Sequence, residues 1–183
     1  VQIIGQNGQG TFNQISGNNF AGVVQIGSGS GVGVYNMSGG TLEANFIQVG
    51  TGSGTGKLNV TSGNISASSG NLTIGPNGTV NLSRSDPYNQ SSLTALTVTN
   101  HGTINYTGGE LRVGNQVCSH DCDPNSIGLI NNGSLNISAT NANFGDKVVN
   151  NGTIKITDTN VSFNRGLENN GAYISDPSTN RFA

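Results

Sequence analysis

The chain has 183 residues and a formal net charge of −2, with 9% charged residues, 29 glycines, 4 prolines and no tryptophan. So little charge excludes a highly charged disordered segment, the lack of basic surplus removes the footprint of a nucleic-acid binder, and no apolar run approaches the ~20 residues of a membrane-spanning helix. The length suits one domain, expected over residues 1–183, and the amino terminus carries no signal-peptide pattern, which fits a mature product or an excised piece.

From the amino terminus, Val1 to Ile4 reads as a strand, and the turn GQNGQG leads into GTFNQ at Gly10. The same phrase, glycine, small or polar, apolar, Asn, apolar, returns as GVYNM at Gly33, GKLNV at Gly56, GTVNL at Gly78 and GTINY at Gly102. It then recurs inside NNGSLNI, NNGTIKI and NNGAYIS at Gly133, Gly152 and Gly171. The spacings are 23, 23, 22, 24, 31, 19 and 19 residues. Periods of this size signify a solenoid, whose units bury their apolar sides only by stacking.

Alternation within the phrase identifies the unit as a strand, because successive side chains of an extended chain face opposite ways. Phe12, Tyr35, Leu58, Val80, Ile104, Leu135, Ile154 and Tyr173 stand two residues after each glycine. Gln14, Met37, Val60, Leu82, Tyr106, Ile137 and Ile156 stand two further on, and Asn13, Asn36, Asn59, Asn81, Asn105, Asn136 and Lys155 lie between. The first and second sets are therefore expected inward and the third outward, with Tyr106 a core residue. A second strand precedes the glycine, with Ile74, Val98, Leu129, Val148 and Leu167 in one inward row, Leu72, Leu96 and Ile127 in another, and Ile3, Ile26 and Val49 as the equivalents in the first three repeats. A third follows it, with Phe20, Leu42, Ile65, Leu111, Phe144 and Phe163 inward. Three strands per turn, joined by Gly, Asn and Ser corners, predict an all-β fold: a single-stranded right-handed parallel β-helix of about eight coils. At ~4.8 Å per coil such a rod stands ~40 Å tall; its handedness rests on the general preference of parallel crossovers. Asn77, Asn132, Asn151 and Asn170 before glycine predict corners with positive backbone angles. No cap is evident at either end, and unpaired strand edges invite end-to-end stacking.

The longest spacing, between Gly102 and Gly133, implies a loop insertion near 115–126, and it holds both cysteines in VCSHDCDPN. Cys118 and Cys122 are expected to form a local disulfide, which would stabilise the rod little because the closed loop is short. His120, Asp121 and Asp123 raise the alternative of zinc, but a second histidine is hard to find because His101 occupies a corner position, and no metal or cofactor is expected.

Catalysis on such a scaffold would need paired carboxylates on one outer face. Of nine acidic residues only Glu110 and Asp86 suggest a pair across one coil, with Arg84 and Arg112 nearby. Solvated surface ion pairing is the expected role, so no catalytic residue is assigned and the chain reads as non-enzymatic. Tyr88 is a further exposed candidate for a binding face. The sequence also repeats Asn-x-Ser/Thr, at Asn36, Asn59, Asn64, Asn71, Asn77, Asn81, Asn89, Asn105, Asn132, Asn136, Asn151 and Asn160. Asn36, Asn59, Asn81, Asn89, Asn105 and Asn136 are candidate glycan acceptors. Since the repeat itself generates most of these positions, stacked side-chain amides are the favoured reading.

The NNGTI corner-plus-strand phrase, the units GSGSGVGVYNMSGGTL and GTGSGTGKLNVTSGNI, and the scarcity of charge resemble the passenger domains of Gram-negative autotransporters and related β-helical adhesins. The likeness runs from about Ile3 to Tyr173 and is architectural. It implies secretion, display at the cell surface, and attachment or aggregation through host or cell-surface glycans, matrix or self-association. One departure is the lack of a carboxy-terminal β-barrel, which implies an internal segment or a released passenger. The resemblance leaves open a self-assembling filament subunit with end-to-end homo-oligomers, and a polysaccharide-active enzyme. No nucleic-acid partner and no direct membrane insertion are expected.

Overall fold

The computed structural model describes residues 1–84, 91–114, 125–138 and 141–182. Among these residues the alternating stretches are extended, all strand pairings are parallel, and eighteen strands join into one continuous sheet. Among the described residues there is no helix. The chain is a parallel β-helix, matching the predicted fold class. Strands Val32–Val49 and Thr55–Ile74 run continuously round the corners, their pairing broken only by register shifts between Met37 and Ser38, Ser38 and Thr41, and Glu43 and Phe46. Such irregularities bend a strand without ending it.

Three faces wind round one axis. The first carries the strand after each repeat glycine, and its partners are the expected ones: Phe12, Tyr35, Leu58, Val80, Ile104, Leu135, Ile154 and Tyr173 lie in successive register. Eight coils are thereby counted on this face. The neighbouring inward column runs Gln14, Met37, Val60, Leu82, Tyr106, Ile137, Ile156 and Ser175 in the same pairings. Tyr106 is fully buried as expected, and its hydroxyl donates to the Gly109 carbonyl at 2.6 Å and the Asn141 carbonyl at 3.0 Å.

The repeat glycines form a column for a reason other than the one expected. A Cβ on Gly133, Gly152 or Gly171 would stand 2.1 Å from the carbonyl oxygen of the glycine one coil earlier. Stacked backbone leaves no room for any side chain, whereas none of these glycines, nor Asn77, Asn132, Asn151 or Asn170, has a positive φ; among the described non-glycine residues only Asp158 does.

The second face corrects the phase of the preceding strand. Its first inward column is Gln2, Val24, Ile47, Leu72, Val98, Leu129, Val148 and Leu167. Its second is Ile4, Ile26, Val49, Ile74, Asn100, Asn131, Asn150 and Asn169 in the same pairings. Ile4, at 6% exposure, therefore takes the place expected for Ile3, which is 44% exposed, and Ile74 stacks on Asn100 rather than Val98. Leu96 and Ile127 are exposed, not inward.

Halfway up, the second column changes from aliphatic to amide, and the corner contracts with it. Where Ile4, Ile26 and Val49 stand, the turn is long and begins with a glycine of positive φ, Gly5, Gly27 and Gly50. Where Asn100, Asn131 and Asn150 stand, a single residue precedes the repeat glycine. These three asparagines are fully buried, and their amides form a ladder: Asn100 Nδ2 donates to Asn131 Oδ1 at 2.7 Å, Asn131 to Asn150 at 2.7 Å, and Asn150 to Asn169 at 2.6 Å. The same nitrogens donate to the carbonyls of Ser134, Thr153 and Ala172, each at 3.0 Å, and Gly102 N–H donates to Asn100 Oδ1 at 3.1 Å. Backbone groups that the sharper corner turns inward are thus satisfied by a side chain, as buried polar groups require.

On the third face Asn19, Leu42, Ile65, Leu93, Leu111, Ala142, Val161 and Asn180 form one inward column. The other runs Ala67, Ala95, Val113, Phe144, Phe163 and Phe182. Phe144 and Phe163 are inward as expected, in this second column two positions along from the Leu111 column. Their rings stack at 5.3 Å with planes 9° apart, and Phe163 stacks on Phe182 at 5.2 Å and 3°. Phe20, by contrast, pairs with outward Glu43 and is 68% exposed.

The first coil places amides in inward positions where later coils place hydrocarbon. Asn19 Nδ2 donates to Gln2 Oε1 at 2.8 Å and to the Tyr35 hydroxyl at 3.0 Å, Tyr35 donates to Gln14 Oε1, and Gln14 Nε2 donates to the carbonyls of Gly17 and Thr41, each at 3.0 Å. This polar plug in the first coil is an arrangement that the repeat pattern did not reveal. Burial raises the Tyr35 pKa above its ordinary value, with the Asn19 hydrogen bond opposing the shift.

Alternation makes a direct prediction. Ile154 is completely buried between Leu135 and Tyr173, so Ile154→Ala should cost about 2–5 kcal/mol. Thr153 points outward in the same strand, and Thr153→Ala should stay within about 0.5 kcal/mol. Urea unfolding of both variants measures the difference; equal losses would contradict the inward column.

Candidate functional site

Outward positions of the first face carry the most regular polar surface on the molecule. Parallel in-register strands bring identical residues within ~4.8 Å, close enough for side-chain amides to bond directly. Asn36 Nδ2 donates to Asn13 Oδ1 at 2.9 Å, Asn59 to Asn36 at 2.8 Å, Asn81 to Asn59 at 2.8 Å, Asn105 to Asn81 at 2.9 Å and Asn136 to Asn105 at 2.9 Å. Lys155 takes the next place in the column. Beside this ladder Thr79, Thr103, Ser134 and Thr153 form a row of hydroxyls in register. On its far side the corner asparagines form another short ladder, Asn151 donating to Asn132 at 2.9 Å and Asn170 to Asn151 at 3.1 Å. Across the three coils of Asn81, Asn105 and Asn136 the face is a grid of short, neutral hydrogen-bonding groups.

The candidate glycan acceptors Asn36, Asn59, Asn81, Asn105 and Asn136 are all rungs of the outer ladder and are half-buried. Each Nδ2 already donates to the next amide, and sugars on neighbouring rungs would share one strand spacing. Asn64 is instead held as an acceptor from the Ser92 hydroxyl at 2.8 Å. Asn89, Cys118, Cys122, His120, Asp121, Asp123, Asp86 and Tyr88 lie outside the described residues, as does most of the 115–126 loop.

The third face carries a groove of about 680 Å³, lined by Arg84, Thr107, Glu110, Asn141, Asn160 and Ser162 among others. Glu110 stands in register between Ser92 and Asn141, and its carboxylate accepts from Arg112 of the same strand, Nη2 at 2.6 Å and Nε at 2.7 Å. Both side chains are about half exposed, so the pair contributes little stability. Its Oε1 is committed to this guanidinium, and no second carboxylate among the groove's described lining residues faces it. The groove can hydrogen-bond a polar ligand; among its described lining residues Glu110 is the one carboxylate, and Asp86, its expected partner, lies outside the described residues.

Two further ion pairs sit near the carboxy-terminal coils. Lys147 Nζ lies 2.6 Å from Glu168 Oε2, and hydrogen bonds from Lys147 and then Asn170 hold the Glu168 carboxyl below its ordinary range. Arg165 reaches Asp146 at 2.9 Å, with the Asp146 side chain almost fully buried. Sequence reading passed over this pair: Asp146 adjoins Gly114, where any Cβ would crowd it, and only the fold brings them together. In the last coil, Tyr173 Oη and Asn180 Oδ1 are buried without a hydrogen-bond partner among the described residues, and burial pushes the Tyr173 hydroxyl up to about 12.

Comparison with protein-family models, curated proteins and solved structures yields no match. Among the described residues no helix is long and apolar enough to cross a membrane.

The two amide ladders should respond differently to loss of a rung. Asn131→Ala removes a fully buried rung, leaving Asn150 Oδ1 and the Thr153 carbonyl without their donor, and should cost about 2–3 kcal/mol. Asn105→Ala exposes its neighbours to water and should cost less than about 1 kcal/mol. Chemical denaturation of the two variants under one set of conditions tests the ordering.

Proposed function

We propose that the chain is a non-enzymatic β-helical segment of a secreted or cell-surface bacterial protein, a stiff stalk whose outer surface attaches to glycans, matrix or other cells. This is the role implied by its resemblance to Gram-negative autotransporter passengers. The observation that carries the reading is the in-register grid of amides and hydroxyls on the first face. A neutral, repeating surface of this kind suits hydroxyl-rich partners, and weak contacts repeated along a rod sum through multivalency. The polysaccharide-active enzyme has less support, because Glu110 is engaged by Arg112.

Attachment predicts that the immobilised chain retains glycan or matrix components from a panel. Thr103→Arg combined with Ser134→Arg, both outward on the grid, should weaken retention at least about tenfold, equivalent to ~1.4 kcal/mol. Thr94→Arg on the third face should leave it unchanged. Retention of nothing on the panel, or equal loss from both variants, would count against the grid as the adhesive surface.

A second reading, end-to-end assembly of copies into a filament, is favoured by a specific match between the two end coils. Phe12 and Tyr173 head and close the same inward column, as do Gln14 and Ser175, and Asn19 and Asn180. A second copy continuing these columns would set aromatic on aromatic and amide on amide. It would also bring amide groups to Asn180 Oδ1, which has no partner among the described residues, and cover exposed Ile174 and Phe182. Sedimentation across a concentration series should then reveal growing rods that Phe12→Asp abolishes; a constant monomer at every concentration would dismiss the filament.

A further inference from the structure

Five asparagines precede glycine: Asn7, exposed in the first turn, and Asn77, Asn132, Asn151 and Asn170, each before a repeat glycine, and the fold protects these last four unequally. An Asn-Gly pair can cyclise because glycine puts no side chain in the way: the glycine backbone nitrogen loses its proton and attacks the asparagine Cγ, forming a C–N bond. The amide C–N bond breaks, ammonia leaves, and a succinimide remains. Water then adds across either ring carbonyl, giving aspartate or isoaspartate. The reaction needs a glycine N–H free to ionise and an asparagine amide free to swing over it.

Three of the pairs lack the first condition. Gly78 N–H donates to the Gly75 carbonyl at 2.9 Å, Gly133 N–H to the Asn100 carbonyl at 3.1 Å, and Gly152 N–H to the Asn131 carbonyl at 2.9 Å. Asn151 also lacks the second, since its amide donates to Asn132 and accepts from Asn170. At the fourth pair the backbone N–H of Asn170, not that of Gly171, takes the Asn150 carbonyl at 2.7 Å. Gly171 N–H donates to no acceptor among the described residues. Asn170 is exposed, and its amide is tied only through Nδ2, to Asn151 at 3.1 Å and Glu168 at 3.3 Å.

We infer that Asn170 is a self-modification site, converting through a succinimide with Gly171 to aspartate and isoaspartate while Asn77, Asn132 and Asn151 are preserved by the fold. The product places a second carboxylate beside Glu168, replacing a hydrogen-bond donor to it with a like charge. Isoaspartate also adds a backbone carbon next to Gly171, which stacks tightly on Gly152. Conversion therefore loosens the last coil at the corner where the short ladder of Asn132, Asn151 and Asn170 ends.

Cleavage after Lys and Arg separates the four sites, since Asn77 falls in 58–84, Asn132 in 113–147, Asn151 in 148–155 and Asn170 in 166–181. The full chain, incubated folded and dilute at mildly alkaline pH, is digested and each peptide followed by mass spectrometry with fragment sequencing. Residue 170 should convert at least about tenfold faster than residues 77, 132 and 151, the difference reflecting local protection. In denaturant the four rates should converge, and Asn170→Gln should remove the fast conversion from 166–181. Conversion of Asn132 or Asn151 as fast as Asn170 in the folded chain overturns the inference, and so does an Asn170 that converts only after unfolding.

Discussion

One constraint governs the molecule: each coil lies one strand spacing above the last, in register, so every side chain has its own counterpart as vertical neighbour. For hydrocarbon this is favourable without further arrangement, and the inward columns fill with Leu, Ile, Val and Phe. For amides it is favourable because donor and acceptor on the same group let identical residues bond head to tail, as in the outer ladder from Asn13 to Asn136. For glycine it is compulsory, since the backbone of one coil occupies the space a Cβ would need in the next. Like charges would repel under the same rule, which accounts for a rod so poor in charge.

The two ways of turning the corner before the repeat glycine show how sequence and energetics are exchanged. Early coils use several residues and a left-handed glycine, a conformation only glycine adopts at little cost. Later coils use one residue and a buried asparagine whose amide binds the carbonyls beside the corner. Burying that amide is tolerable only because each rung satisfies the next; a single asparagine among isoleucines would leave polar atoms stranded. The ladder of Asn100, Asn131 and Asn150 is therefore a cooperative unit, and it explains why the shortest repeats are also the most alike in sequence.

The first-face columns and the outer ladder were legible because period two and the repeat glycine fix their phase together. The second face was misread where turns vary in length: counting back from the glycine selected Ile3 instead of Ile4 and aligned Ile74 with Val98 instead of Asn100. The inner ladder was missed because asparagine reads as an outward or corner residue, and only its hydrogen bonds identify it as core. Phe20 failed the opposite way, an apolar residue on an outward position of the first coil. Leu93 escaped because the residues between Leu82 and Ser91 displace it from the count. The polar plug of Gln2, Gln14 and Asn19 was hidden too, each residue unremarkable until its column is known.

Strict repetition also decides what kinds of chemistry the surface can support. Catalysis needs unlike groups converging on one point, whereas stacking places like beside like. Unlike charges meet here at a few isolated points among the described residues, Glu110 with Arg112, Lys147 with Glu168 and Asp146 with Arg165, none of them repeated from coil to coil. The unbroken first face offers the opposite resource, one modest hydrogen-bonding motif presented again at each coil. Such a surface gains strength from the length of contact and not from the depth of any pocket, so selectivity for a particular partner would have to come from the interrupted third face.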